Sequence, residues 1–194
     1  MLSEHQRVRV SRASYGSQDK LPVGGYVLKI LDAKIENTQY GEKLILSYDI
    51  AEGDYADFFR KNYAAQQGED KKWKGTYRLN VPTDDGSEQD GWSKRKFKTM
   101  TTSVEDSNAG YHWDWNEAGL KGKLVGGVFN EKEYNFNGFQ GFFTNLHHLC
   151  NVEQIRQNDF KIPDPTYLRN NSAPAQSTDF VNVSAGDKEE LPFD

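Results

Sequence analysis

Basic and aromatic side chains are interleaved through one stretch of this chain. Arg60-Lys61 lies beside Phe58, Phe59 and Tyr63; Trp73 sits between Lys72 and Lys74; Tyr77 neighbours Arg78; Trp92 precedes Lys94-Arg95-Lys96. An aromatic ring offers a face on which a nucleobase can stack, at roughly 1–3 kcal/mol per base, while neighbouring cations track the phosphates. A duplex keeps its base faces closed, so this pairing of residue types suits single strands. The expected contacts are Arg60, Lys61, Tyr63, Lys72, Trp73, Lys74, Tyr77, Arg78, Trp92, Lys94 and Lys96. Trp73 is the hardest of these to place in a core, because KKWKG puts charge on both sides of it. Phe58 and Phe59 fit a core better, and Trp92 could equally staple a helix.

Other chemistry is poorly provided for. The histidines are His5, His112, His147 and His148, with Cys150 near the last pair. A metal site wants three or four ligands at usable spacing. On a regular strand His147 and His148 would point to opposite faces, which leaves them unable to share one ion. No Gly-rich phosphate loop, nucleophile elbow or His-Glu-x-x-His helix is present. Asp84-Asp85 sits in a stretch of turn composition, where solvation accounts for it. No catalytic residue, metal or cofactor is expected.

The elements that would position the interleaved residues are mostly strands. Gly25 to Glu36 and Glu42 to Ile50 are rich in apolar and β-branched residues, with a turn over Thr38 to Gly41. In the second run Leu44, Leu46, Tyr48 and Ile50 alternate with Lys43, Ser47 and Asp49, the period of a sheet with one wetter face. Phe58 to Tyr63 fits either a third strand or a short helix. Thr76 to Val81 reads as another strand. Phe97, Met100 and Val104 recur at helical spacing, so Trp92 to Val104 reads as a short amphipathic helix. Gly122 to Tyr134 is a strand in which Gly126-Gly127 marks a bulge or a close backbone approach. Gly141 to Ile155 is a strand ending in a helical turn. Strands, one helix, then two strands is the order of an OB-fold, a partly open five-stranded Greek-key barrel.

Composition sets the limits. With 17 Gly, 10 Tyr and 11 Phe in 194 residues, a turn-rich β architecture is favoured over a bundle. The 36% hydrophobic share is low enough that part of the chain should stay unpacked. Residues 1–20 read as a flexible arm, 21–169 as the folded domain and 170–194 as a disordered linker and acidic tail. The net charge of −5 conceals a gradient, because from Asn170 onward there are five acids and one base. That leaves 24 acids against 23 bases in the rest, and ten Lys or Arg against seven Asp or Glu between Ala56 and Met100. Local clusters of this kind decide phosphate binding more than net charge does. A single cysteine, Cys150, allows no intramolecular disulfide and fits a reducing cytoplasm. Met1 to Val10 lacks the apolar run of a signal peptide, and no stretch approaches the ~20 apolar residues that cross a bilayer.

The last residues, GDKEELPFD, place acids directly before an apolar tip. Such a segment cannot fold alone, but Phe193 could dock in a pocket while the acids pair with bases around it. This tip resembles that of bacterial single-stranded DNA-binding proteins, whose acidic tails end in Pro-Phe and recruit replication and repair proteins. Leu191, Pro192 and Phe193 match, and Asp194 follows where the family ends on Phe. The body, through GGYVLKILDAKIENTQYGEKLILSYDIAEGDYADFF, is similar to phage- or prophage-encoded single-stranded DNA-binding proteins of low-GC Gram-positive hosts. That similarity runs roughly from Leu21 to Arg156. It implies an OB-like domain that binds single-stranded DNA with little sequence preference, in support of phage replication or recombination in the bacterial cytoplasm. It also implies that Glu189, Glu190, Leu191, Pro192 and Phe193 recruit replication or recombination proteins, and it leaves a homo-oligomer open. The alternative is an OB-fold interaction module that acts on a host or phage replication protein without touching DNA.

Overall fold

The computed structural model describes residues 20–168. The arm expected before Lys20 and the linker and tail expected from residue 170 lie outside the described residues. What is described is mainly β: five antiparallel strands in one open sheet, in the order β3-β2-β1-β4-β5. They are β1 (Gly24–Thr38), β2 (Gly41–Ile50), β3 (Thr76–Asn80), β4 (Leu124–Phe136) and β5 (Phe139–Cys150). Three α-helices and a 3-10 turn complete the described residues: α1 (Phe58–Ala65), α2 (Glu88–Ser107), α3 (Val152–Arg156) and the turn Glu117–Leu120. The single short helix expected from sequence is therefore one of three, and at 20 residues it is not short.

Strand β1 organises the sheet. Its later part pairs with β2 from Leu28↔Ile50 to Thr38↔Gly41, and its first part pairs with β4 from Gly24↔Phe129 to Lys29↔Leu124. Leu28, Ile30, Leu44, Leu46, Ile50, Val125 and Phe129 form the core with Met100 and Val104 from α2. Each such side chain removed from water contributes roughly 1.5–3 kcal/mol. The α2 face that carries Phe97, Met100 and Val104 is the buried one, as their spacing predicts. The helix starts earlier than that apolar stripe, because the Ser87 hydroxyl accepts the Asp90 amide at 3.1 Å and caps it.

Strand β2 departs from the simple alternation. Ile45 and Asp49 are buried as well, so the face expected to be wet is covered at both positions. Asp49 is only 2% exposed, and its carboxylate accepts the amides of Ile50 (2.9 Å), Phe59 (2.9 Å) and Arg60 (3.1 Å). Those last two amides belong to the open first turn of α1, whose own N-cap residue, Asp57, makes no side-chain cap. A long-range carboxylate thus settles the Phe58 to Tyr63 segment as helix, and Phe58 and Phe59 pack against the core.

Gly126-Gly127 marks a close approach. A Cβ on Gly126 would meet the Asn151 carbonyl at 2.6 Å, and one on Gly127 would meet Leu28 at 2.5 Å. Beyond the part paired with β1, β4 and β5 continue as a two-stranded hairpin to Phe136↔Phe139, joined by Asn137-Gly138. Both turn residues have positive φ (51° and 81°), the type I′ geometry that suits Asn-Gly. The other edge of β4 is covered at Lys132 by Thr166, whose amide and carbonyl bond to Glu131 and Glu133 at 2.8 Å each. None of the described helices is long and apolar enough to cross a membrane.

Candidate nucleic-acid interface

The two edge strands, β3 and β5, face a common groove. One cavity is lined by Thr76 to Asn80 of β3, by Trp92 and Lys96 of α2, and by Asn145 to His147 of β5. It adjoins a second through Thr76, Asn145 and Leu146, where Lys20, Phe58, Asn62 and Lys74 contribute. It adjoins a third through Tyr77, Trp92, Lys96 and His147, where Arg95, His148 and Thr166 contribute. Lys20, Lys74, Arg78, Arg95, Lys96 and Lys132 therefore border one continuous depression, and no Asp or Glu lines any of its three parts among the described residues. In a chain with more acids than bases, that segregation gives the groove a positive field.

The rings in the groove differ in freedom. Trp92 is 57% exposed, and the Arg95 guanidinium lies 4.4 Å from its ring centre. That cation–π contact places the charge over one face of the ring. Tyr77 is half-buried, and burial raises the pKa of its phenol, so the hydroxyl stays protonated at neutral pH. Lys96 and Lys132 form no ion pair among the described residues, whereas Lys20 is paired with Glu131 at 2.9 Å.

The residues expected from sequence separate into three groups. Tyr77, Arg78, Trp92 and Lys96 come together in the central part of the groove, with Lys74 at its far end. Tyr63 and Trp73 pack on each other beside it, ring centres 5.8 Å apart, with Lys72 exposed on the same loop. The Trp73 indole N–H donates to the Gly75 carbonyl at 3.0 Å, so Trp73 is half-buried rather than a free platform. The remaining three cations have local partners. Arg60 pairs with Asp57 at 3.4 Å, Lys61 donates to the Ala56 carbonyl at 2.8 Å, and Lys94 bridges Asp84 and the buried Asp90. Asp84-Asp85 is consequently more than a solvated pair: Asp84 pairs with Lys94, and Asp85 accepts the Ser87 amide at 2.8 Å. The tail residues Glu189 to Phe193 lie outside the described residues.

Comparison with protein-family models and with curated proteins gives no match. The functional reading therefore stands on the groove itself.

Several groove residues carried no signal in the sequence. Lys132, Asn145, His147 and His148 lie far along the chain from the interleaved region, and only the sheet brings them to it. The β4–β5 hairpin also carries exposed rings, with Phe136 71% and Phe139 75% exposed. The signal that finds them is Asn137-Gly138 flanked by aromatic residues at alternate positions. The histidine pair corrects an expectation. Strand β5 shifts register against β4 between Val128 and Phe129, which pair with His148 and Leu146, so His147 is the extra residue of a bulge. The two rings consequently meet, Nδ1 to Nδ1 at 2.9 Å, instead of pointing to opposite faces. Among the described residues no group of three or more His, Cys, Asp or Glu side chains could hold a metal ion. Cys150 is buried, which pushes its thiol up to about 11.

Proposed function

We propose that this protein binds single-stranded DNA along the groove between β3, β5 and α2, with little sequence preference. The observation that carries the reading is the acid-free lining of that groove, with cations at intervals and the rings of Tyr77 and Trp92 among them. Stacking on rings is indifferent to base identity, and Lys or Arg contacts to phosphate are too. The order of the elements supports the reading, because it is the order expected of an OB-fold. Strand β1 is shared between β2 and β4, α2 is inserted between β3 and β4, and the two edge strands face each other across an opening. The β4–β5 hairpin, rich in exposed rings, extends the surface on which a strand could lie. On this reading the protein protects single strands during phage DNA replication or recombination, and the acidic tail recruits partner proteins through Phe193.

A labelled oligo-dT titrated with the full chain tests this. Binding should weaken steeply with added salt, and the matching duplex should bind far more weakly. Equal affinity for the duplex, or none for oligo-dT, overturns the proposal and leaves the interaction module as the better account.

A further inference from the structure

The bulge on β5 places two imidazoles where a regular strand would show one. His147 borders both the central and the distal part of the groove, and His148 borders the distal part. With Nδ1 atoms 2.9 Å apart, one ring must donate N–H and the other accept. A neutral pair therefore fixes its own tautomers. The donor ring has a bare Nε2, and the acceptor ring carries its proton on Nε2. One further proton can go only to the bare Nε2. The pair then has two outward N–H donors and one positive charge, while the inner contact becomes a charge-assisted bond.

The charged side chains that line the groove beside the pair are all cations. Helix α2 brings Arg95 and Lys96, β4 brings Lys132, β3 brings Tyr77, and the C-terminal segment brings Thr166, which has no charge. The nearest acids on β4 are engaged elsewhere: Glu131 with Lys20, and Glu133 with the Leu168 amide. Burial and Lys96 hold His147 toward its neutral form, and burial and His147 do the same for His148. Without an anion the extra proton is disfavoured. A phosphodiester beside Lys96, Lys132 and the pair reverses this, because it supplies the missing negative charge and accepts from the newly protonated Nε2–H.

We propose that His147 and His148 form a proton-operated phosphate contact, so that single-stranded DNA binds with uptake of a proton from solvent. This rests on the reading of the groove as the DNA site. The sign follows: a group that is more protonated in the complex makes affinity rise as pH falls.

The test uses the full chain and a labelled oligo-dT at fixed ionic strength, from about pH 8.5 to about pH 5.5. Affinity should rise as pH falls, roughly tenfold for each unit by which the phosphate raises the pair's pKa. The double substitution His147→Gln, His148→Gln should flatten that rise. His112→Gln should keep the wild-type slope. Imidazole NMR titrations of the unsubstituted chain give a second measurement, in which the midpoint of the pair must move up when oligo-dT is added. Equal pH slopes in wild type and double variant, or an unmoved midpoint, overturn the proton contact and leave the DNA site standing. Absence of binding at every pH removes the DNA site and the contact together.

Discussion

Trp92 and Lys96 share the groove, yet their loss should read differently. Trp92→Ala removes a stacking face that is mostly in solvent, so oligo-dT affinity should fall by about 1–3 kcal/mol with little change in melting temperature. Lys96→Ala should weaken binding more modestly and reduce the slope of log K against log salt by about 0.7, the single-strand value per phosphate contact. Salt-dependent fluorescence titrations of both variants distinguish them. Lys94 belongs to the other class, although it is one residue from Arg95. Its ammonium joins Asp84 to Asp90, and hydrogen bonding from Lys94 lowers the pKa of the buried Asp90 carboxyl. A carboxylate with a depressed folded-state pKa stabilises the fold above its unfolded value, and that stability is lost as pH falls through the folded one. Lys94→Ala should therefore lower the melting temperature at neutral pH and lose less on acidification than wild type does, while oligo-dT affinity stays close to wild type. Thermal melts from about pH 7 down to about pH 3 check this.

Asp49 is the point where one element depends on another. Three amides from β2 and α1 converge on its carboxylate in a buried site, so Asp49→Ala should cost about 1–3 kcal/mol and loosen α1 first. Hydrogen exchange at Phe59 and Arg60, together with a urea midpoint, measures both effects. Gly126→Ala should destabilise by about 1–3 kcal/mol through overpacking, since a Cβ there runs into the backbone of Asn151. At this scale the sequence was readable where a pattern is local. Apolar runs gave the five strands, and Phe97, Met100 and Val104 gave the buried face of α2. It was ambiguous or silent where the deciding partner is remote. Asp49 makes α1 a helix from ten residues away, a register shift against β4 turns His147 beside His148, and Lys132 enters the groove only because β4 runs on past β1. Of the expected contacts, Tyr77, Arg78, Trp92, Lys96 and Lys74 meet in the groove, whereas Arg60, Lys61 and Lys94 have local partners. Charge and ring content were visible in the sequence, but their pairing was not.

Over the whole molecule, the groove is positive although the chain is not, so a chain truncated after Leu168 should bind oligo-dT at least as tightly as the full one. Electrophoretic mobility shifts at low salt compare the two directly, and a loss of affinity on truncation would assign the DNA contact to the tail. The same whole-molecule view bears on how the protein is made. Strand β1 waits for β4, because Gly24 pairs with Phe129 and roughly a hundred residues separate the partners. During synthesis β1 and β2 can form a hairpin early, but the β4 side of β1 stays unpaired until most of the domain has been made. An open, apolar strand edge is a template for a neighbouring chain. Closely spaced ribosomes on one message therefore bring such edges together, and slow translation between Asn80 and Leu124 prolongs the interval in which nascent copies can pair with each other.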